Sequence, residues 1–355
     1  MTIIHIITAF GIGGAEKLLL NTINEQVKTH NVHLIYLKPL NELGHLLDKK
    51  VVVKNIPLSI VTVFRLNRYF KKAHPDVIHT HLSHADIIGS MASVGSNAKV
   101  FTTIHSTKFR DNAFDSILFL ICAIVFRVYK INVISISKSV KKVVLRKFYL
   151  QQKRSLLLYN ALQFVETETE LKNKEDNKIN LLFVGRLEKA KSVHTLLEAL
   201  YVLKKKDDTS NFYLTIVGEG SLRKSLEQRT KELQIEELVE FVGAQQETQP
   251  YFNSSDIFIL PSIWEGFGIV ILEAFRAKLP VVASNIEGPS ELIQHNINGL
   301  LFEKGNAIEL SKKIGSLIVD NNMRHFLGEN GYKSFTRKYH IKNYVEKLNR
   351  LYENA

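Results

Sequence analysis

Three features of the 355-residue chain predict an α/β fold of two doubly wound parallel sheets. Short runs rich in Ile, Val and Phe recur between segments of helical periodicity, the pattern of buried parallel strands joined by crossover helices. Several of these runs end in glycine turns that open into a helix, as at 9–16 (AFGIGGAE) and 261–268 (PSIWEGFG). The length suits two domains of ordinary size, and an apolar content of 45% can fill two cores.

In chain order, strands are expected at 3–8, 32–37, 51–56, 76–79, 99–104, 133–137 and 156–160, with a first helix over 17–26. Gly11, Gly13 and Gly14 in the first turn let a ligand approach the backbone closely. The strand 32–37 is followed by Lys38, where a nicotinamide enzyme would place an acidic ribose-binding residue, which disfavours a dehydrogenase. His79, His81 and His84 suggest a metal site at first sight, but only Asp86 stands nearby and the usual ligand spacing is missing. No metal is therefore expected, and one or more of these histidines should end a strand and face a cleft. His105, just past the strand 99–104, is a candidate for contacting a reacting sugar, with a structural histidine as the alternative. The apolar run 117–126 (ILFLICAIVF) has ten residues, against about 20 needed to span a bilayer. It reads as a core helix, with an interfacial segment as the alternative.

The polar stretch 166–177 reads as a linker. Beyond it, strands are expected at 179–184, 212–217, 239–242, 256–260 and 280–284, with helices over 193–205 and 221–233 and a mostly helical tail from 312. Arg186 offers a planar fork suited to phosphate oxygens and Lys191 a point charge, both just past a strand end. Gly243 ends another strand and could seat a flat base. In the stretch 261–273, Gly266 and Gly268 shape a turn at a helix start, where unpaired amides and the helix dipole favour an anion. Glu265 and Glu273 flank this turn as candidates to grip sugar hydroxyls. On one helix the two carboxylates would lie ~12 Å apart along the axis. Glycosidase pairs stand roughly 5–9.5 Å apart. Because Glu265 sits on the loop, spacing alone leaves that rival open.

The single cysteine, Cys122, excludes an internal disulfide and fits a reducing compartment. The N-terminus, MTIIHIIT, lacks a basic leader and reads as a first strand. The net charge of +12 is uneven: residues 1–160 hold 22 Lys and Arg against 8 Asp and Glu, the remainder 25 against 27. Basic clusters at 65–72 and 138–154 point to an anionic membrane surface or to nucleic acid. The membrane is preferred, because Val143, Val144, Leu145, Phe148, Tyr149 and Leu150 interleave with the charges as on an interfacial helix. Recognised nucleic-acid motifs are lacking.

Taken together, GIGGAE, NAL at 160–162, GRLEKAK at 185–191, IVGEG at 216–220, EGFGIVILEAFRAKLPVVAS from Glu265, GPSEL and NGLLF resemble the family 4 retaining glycosyltransferases over nearly the whole chain. The resemblance implies the GT-B fold, two Rossmann-like domains facing a central cleft. It implies an acceptor-binding domain over 1–165, a linker over 166–178, a nucleotide-sugar domain over 179–335, and a last helix over 336–355 returning to the first domain. Arg186 and Lys191 would bind the donor diphosphate, Glu273 the ribose, and Glu265 the transferred sugar. Backbone amides of Gly266, Phe267, Gly268, Ile269 and Val270 would assist, with Gly13, Gly14 and Gly243 also lining the donor. His105 would stand near the donor sugar and leaving phosphate. The family often has Gly where this chain has Ser192, and Cys-Gly where it has Ala277 and Lys278. The expected reaction is retaining, needs neither metal nor cofactor, and moves a sugar from a nucleotide diphosphate, most simply UDP, to a polyprenyl-diphosphate-linked glycan. It would serve surface polysaccharide synthesis at the cytoplasmic face of the membrane. Alternatives are a nucleotide-sugar epimerase, a phosphorylase, or a non-catalytic scaffold of an assembly complex.

Overall fold

The computed structural model describes residues 1–105, 113–148, 150–163, 178–206 and 212–355, with only the backbone of 113–119. The expected linker at 166–177 and Tyr149 lie outside the described residues. Clustering of contacts divides the chain into two compact units, Met1–Gln163 with His340–Ala355, and Phe164–Tyr339.

The first unit holds a seven-stranded sheet. Its strands are β1 (Thr2–Ile7), β2 (Asn31–Tyr36), β3 (Val52–Asn55), β4 (Val77–His81), β5 (Lys99–Ile104), β6 (Asn132–Ser135) and β7 (Ser155–Leu157). The order is β3-β2-β1-β4-β5-β6-β7 and every pairing is parallel. Central strands such as β1 and β4 are covered on both faces, which is why β1 reads as an apolar run without alternation and why the polar residues of β4 are buried. The covering helices are α1 (Gly14–Gln26), α2 (Thr62–Ala73), α3 (Ser83–Ala92), α4 (Ala113–Val128) and α5 (Lys138–Phe148).

The second unit holds β8 (Ile179–Val184), α6 (Val193–Lys206), β9 (Phe212–Val217), α7 (Arg223–Glu232), β10 (Val239–Gly243), α8 (Gln249–Ser254), β11 (Ile257–Leu260), α9 (Ile269–Arg276), β12 (Val281–Ser284), α10 (Pro289–Leu292), β13 (Leu300–Phe302), α11 (Ala307–Val319) and α12 (Asn321–Ser334). Its six strands form a parallel sheet in the order β10-β9-β8-β11-β12-β13. The three-residue β13 was not expected from sequence; it pairs with β12 from Val282↔Leu300 to Ser284↔Phe302. Helix α6 packs with α11, and α9 with α12.

The last helix, α13 (Ile341–Asn354), belongs to the first unit. Its Ile341, Tyr344, Val345, Leu348 and Tyr352, spaced at 3, 4, 7 and 11 residues, form one apolar stripe. That stripe packs with Leu18 of α1 over Ile3, Val77, Phe101 and Ile134, one face of the sheet. On the other face Ile4, Ile6, Ile35 and Ile78 meet Leu66 and Phe70 of α2 and Ala85 and Ala92 of α3.

Two expectations about the first unit need correction. Helix α5 is not an interfacial helix with a wholly spare apolar face: of the residues expected to meet a membrane, Val144, Phe148 and Leu150 are buried and Val143 and Leu145 half-buried, and α5 packs on β6 and β7. Its apolar stripe is consumed by its own sheet. The apolar run 117–126 is only half a core helix. Cys122, Val125 and Phe126 are buried, but Leu120, Ile121 and Ile124 are exposed.

Candidate active site

In an open α/β sheet, ligands gather where the chain leaves adjacent strands in opposite directions, because the crossover helices there part and leave a crevice at the strands' C-terminal ends. In the second unit that point lies between β8 and β11. The loop after β8 carries Arg186 and Lys191; the loop after β11 carries Glu265 and the glycine turn. A backbone hydrogen bond from Ile263 N–H to the carbonyl of Ala190 (2.9 Å) ties the two loops together.

Lys191 ends a 3-10 turn over Lys189–Lys191, and its Nζ pairs with Glu265 Oε1. Both side chains are largely shielded, at 17% and 11% exposure. Ser262 Oγ donates to the same carboxylate oxygen at 3.0 Å. A charge pair removed from water this far is positioned by its surroundings and interacts more strongly than a surface pair. Arg186 is different: its guanidinium is exposed and meets Glu188 Oε1 at 3.0 Å. Its backbone is fixed by the neighbouring strand ends, with Gly185 N–H bonded to Val217 O (3.0 Å) and Leu187 N–H to Glu219 O (2.9 Å). Close packing of these ends demands glycine at 218, where a Cβ would run into the carbonyl of Gly185.

Gly268 precedes α9 with φ +88°, a conformation that favours glycine. The first amides of α9, at Ile269 and Val270, have no acceptor within the helix by geometry, and the dipole adds partial positive charge there. Glu273 lies one turn further on; Arg276 beside it is half-buried, and desolvation pulls its pKa down while Glu273 opposes that shift. Gly243, also at positive φ (+84°), ends β10 and accepts a hydrogen bond from Gly218 N–H at 2.8 Å. The second unit thus gathers Arg186, Lys191, Glu265 and the 266–270 turn at the C-terminal ends of β8 and β11, with Gly243 at the end of the edge strand β10, two strands from β8.

Gly13, Gly14 and His105 belong to the first unit. Gly13 precedes α1 in extended conformation at the corresponding switch between β1 and β4, and its carbonyl accepts from Lys17 N–H at 2.9 Å. His105 follows β5, half-buried, and its Nε2 is buried without a hydrogen-bond partner. Burial pulls its pKa down to about 4, so the ring is neutral at pH 7.

Of the histidines expected to end a strand, His81 does so as the last residue of β4, but it is buried and does not open to solvent. His79 and His81 are both buried within β4, and His84 sits apart on α3. Their partner is His5, which sequence reasoning missed although its place in the strand pattern puts it on the face of Ile3 and Ile7. Potential ligand nitrogens of His5, His79 and His81 lie within 4.8 Å of one another. Most of them are engaged in hydrogen bonds. His5 Nε2 contacts Gln26 Oε1 (2.8 Å), so it carries the proton, and Nδ1 then accepts from His81 Nε2–H at 3.2 Å. His79 bonds Tyr352 OH at 2.5 Å and Thr103 Oγ1 at 2.7 Å. This arrangement is a buried hydrogen-bonded network, with His81 Nδ1 left over.

A family model described as Glycosyl transferases group 1 matches residues 165–334, and one described as Glycosyltransferase Family 4 matches residues 12–163. An uncharacterized glycosyltransferase of Methanocaldococcus jannaschii, MJ1607, is 29% identical over 237 residues, covering 63% of this chain and 60% of its own length. A Campylobacter jejuni protein is 27% identical over 348 residues, covering 93% of this chain and 92% of its own. It is named as the GalNAc-α-(1→4)-GalNAc-α-(1→3)-diNAcBac-PP-undecaprenol α-1,4-N-acetyl-D-galactosaminyltransferase. Among solved structures, Anabaena Alr3699/HepE in complex with UDP superposes with a TM-score of 0.86 at 19% identity, covering 100% of both chains. At that identity the likeness speaks for the fold, two Rossmann-like units of the GT-B type. Since the two family models between them take in nearly the whole sequence, the chain belongs to the glycosyltransferases of group 1 and family 4.

Proposed function

We propose that the protein transfers a sugar, with retained anomeric configuration and without a metal, from a UDP-sugar to a lipid-diphosphate-linked glycan. The observation that carries the donor half is the shielded Lys191–Glu265 pair at the β8/β11 switch point, beside the start of α9. A diphosphate would draw Lys191 toward itself, and the exposed Arg186 would supply a bidentate fork. Glu265, released in part from Lys191, would accept hydroxyls of the transferred sugar. Glu273 would take the ribose, Gly243 would border the base, and Gly266 to Val270 would present amides to the charge that develops on the leaving phosphate. The first unit would bind the acceptor, with Gly13, Gly14 and His105 facing the reacting groups. His105, neutral at pH 7, would donate or accept a hydrogen bond without adding charge.

UDP is favoured by its presence in the HepE complex, and a lipid-linked acceptor by the name of the Campylobacter relative. An acceptor of that kind would bring the protein to the inner face of the cytoplasmic membrane as a peripheral enzyme, in surface polysaccharide assembly. No described helix is long and apolar enough to cross a membrane.

Calorimetric titration with UDP-, GDP- and ADP-sugars tests the donor site. UDP-sugar binding is expected, weakened at least about tenfold by Arg186→Ala and by Glu273→Ala, as befits loss of a hydrogen bond to a charged group. Binding indifferent to both substitutions would remove the site assignment. NMR of the product anomer then tests retention, and turnover in a chelator tests metal independence. A free epimer formed without acceptor would favour an epimerase, and intact binding with no turnover a scaffold.

A further inference from the structure

Helix α4 carries an apolar face that nothing among the described residues covers. Leu120, Ile124 and Val128 are 60%, 55% and 64% exposed, and Ile121 is exposed beside them. On a helix these four positions fall within an arc of about 100°. The opposite arc, Cys122, Val125 and Phe126, packs inward, with Phe126 stacked 5.4 Å from Phe148 of α5. Helix α4 is therefore apolar nearly all round and anchored on one side only. An uncovered apolar face of this kind on a globular unit marks an interaction surface.

The surroundings select the partner. Between Asp115 and Glu166 the sequence holds nine Lys and Arg and no Asp or Glu. Arg127 stands on α4 itself, and α5, packed alongside, adds Lys138, Lys141, Arg146 and Lys147. A second copy docking by two-fold symmetry would set this cationic rim against itself, and like charges facing one another across an interface are repulsive. Nucleic acid would use the charges and leave the aliphatic ridge in water. An anionic bilayer uses both: acyl chains receive the ridge, and headgroups neutralise the rim.

We infer that α4 docks the first unit on an anionic membrane surface, its Leu120–Ile124–Val128 ridge inserted at the headgroup boundary and the cations of α4 and α5 in contact with lipid phosphates. This deepens the reading of a lipid-linked acceptor and rests on it for its purpose. It moves the docking element from α5, whose apolar stripe is committed to the sheet, to α4.

Flotation with phosphatidylglycerol-containing vesicles tests the surface. Wild-type protein is expected to float at low salt, and poorly with neutral phosphatidylcholine alone. A Leu120→Ser/Ile124→Ser/Val128→Ser variant should lose at least about tenfold in partitioning, since each side chain forfeits apolar burial. An Arg127→Gln/Lys141→Gln/Arg146→Gln variant should lose up to about a hundredfold, each cation near the surface contributing about fivefold. Both variants should bind the UDP-sugar as wild-type does, which shows that they fold. Undiminished flotation of the serine variant overturns the assignment. Failure of wild-type to float while it still binds donor overturns it too, and leaves the transferase reading standing. Loss of donor binding in wild-type would instead strike the transferase reading, with flotation still judging the surface. A concentration-dependent dimer in sedimentation, abolished by the serine substitutions and without flotation, would assign the ridge to a second copy and overturn the proposal.

Discussion

Lys278 adopts the left-handed conformation (φ +59°) immediately after α9. Its amide bonds Phe275 O at 3.0 Å, and the next amide, of Leu279, bonds Ala274 O at 2.9 Å. That pair of bonds is the Schellman ending, whose left-handed residue is usually glycine because a Cβ there is strained. The resemblance noted from sequence places glycine at this position, so the departure has a physical cost. Part of it is offset by a Lys278–Glu329 ion pair at 2.8 Å, but the lysine is half exposed and such pairs contribute about 0–1 kcal/mol. Replacing Lys278 by Gly relieves about 1 kcal/mol of left-handed strain. The net expectation is a gain of up to about 1 kcal/mol, read as a higher urea midpoint with unchanged slope. Lys278→Ala keeps the strain and loses the pair, so it should be neutral or destabilising. If both variants shift the midpoint equally, strain is not the cause. Ser192, also left-handed (φ +51°), is a different case: its Oγ bonds Thr195 Oγ1 at 2.9 Å at the start of α6, so glycine there would give up a contact.

At the scale of elements, α13 shows how one helix can hold polar and apolar parts of a core at once. Leu348 and Tyr352 sit over Phe101 and Ile134, while the Tyr352 hydroxyl reaches His79 Nδ1 at 2.5 Å. Tyr352→Phe keeps the packing and orphans one buried imidazole nitrogen, which costs about 1–3 kcal/mol. Leu348→Ala opens a cavity instead and should cost about 2–5 kcal/mol. Urea denaturation monitored by far-UV ellipticity distinguishes these sizes; a silent Tyr352→Phe would show that the hydroxyl bond contributes nothing net. The same scale explains what could be read from sequence. Strands such as β11, expected at 256–260 and found at Ile257–Leu260, were legible because burial on both faces leaves an uninterrupted apolar run. Three residues of β13 are too few to stand out from a loop. Helices α4 and α5 were misjudged for one reason: apolar periodicity says that a face is covered, not whether its own sheet or something else covers it. At the site, Arg186, Lys191 and Glu265 could be picked out because each follows a strand end; that Lys191 and Glu265 pair depends on strand order, which a single sequence does not display.

Over the whole molecule, buried titratable groups are distributed as unevenly as the charge. His5 and His105 are pulled down to about 4 by burial, and His79 and His81 well below their usual value, again chiefly by burial. All four belong to the first unit. In the unfolded chain each titrates near about 6.5. As pH falls below that, the unfolded chain takes up protons that the native first unit refuses, so stability is full above about 6.5 and declines toward 4. Each imidazole contributes up to about 1.4 kcal/mol per pH unit to that decline. Asp86 works the other way: burial raises its pKa to about 6, so the folded form holds a proton that the unfolded form releases, offsetting one of the four histidines below pH 6. In the second unit, among the described residues, His295 is shifted in the same direction, but its ring lies at the surface. Acid should therefore weaken the first unit well before the second. The single tryptophan, Trp264, lies in the second unit and reports on it alone, whereas far-UV ellipticity follows both. Urea titrations at pH 7, 6 and 5 should show an ellipticity transition that moves to lower urea with acid while the Trp264 transition stays nearly fixed. His5→Gln, which removes one imidazole from the network, should flatten the pH dependence of the early transition. Transitions that shift in parallel by both probes would mean either that the two units unfold as one or that the buried histidines do not govern acid sensitivity, and an unflattened slope in His5→Gln would decide for the latter.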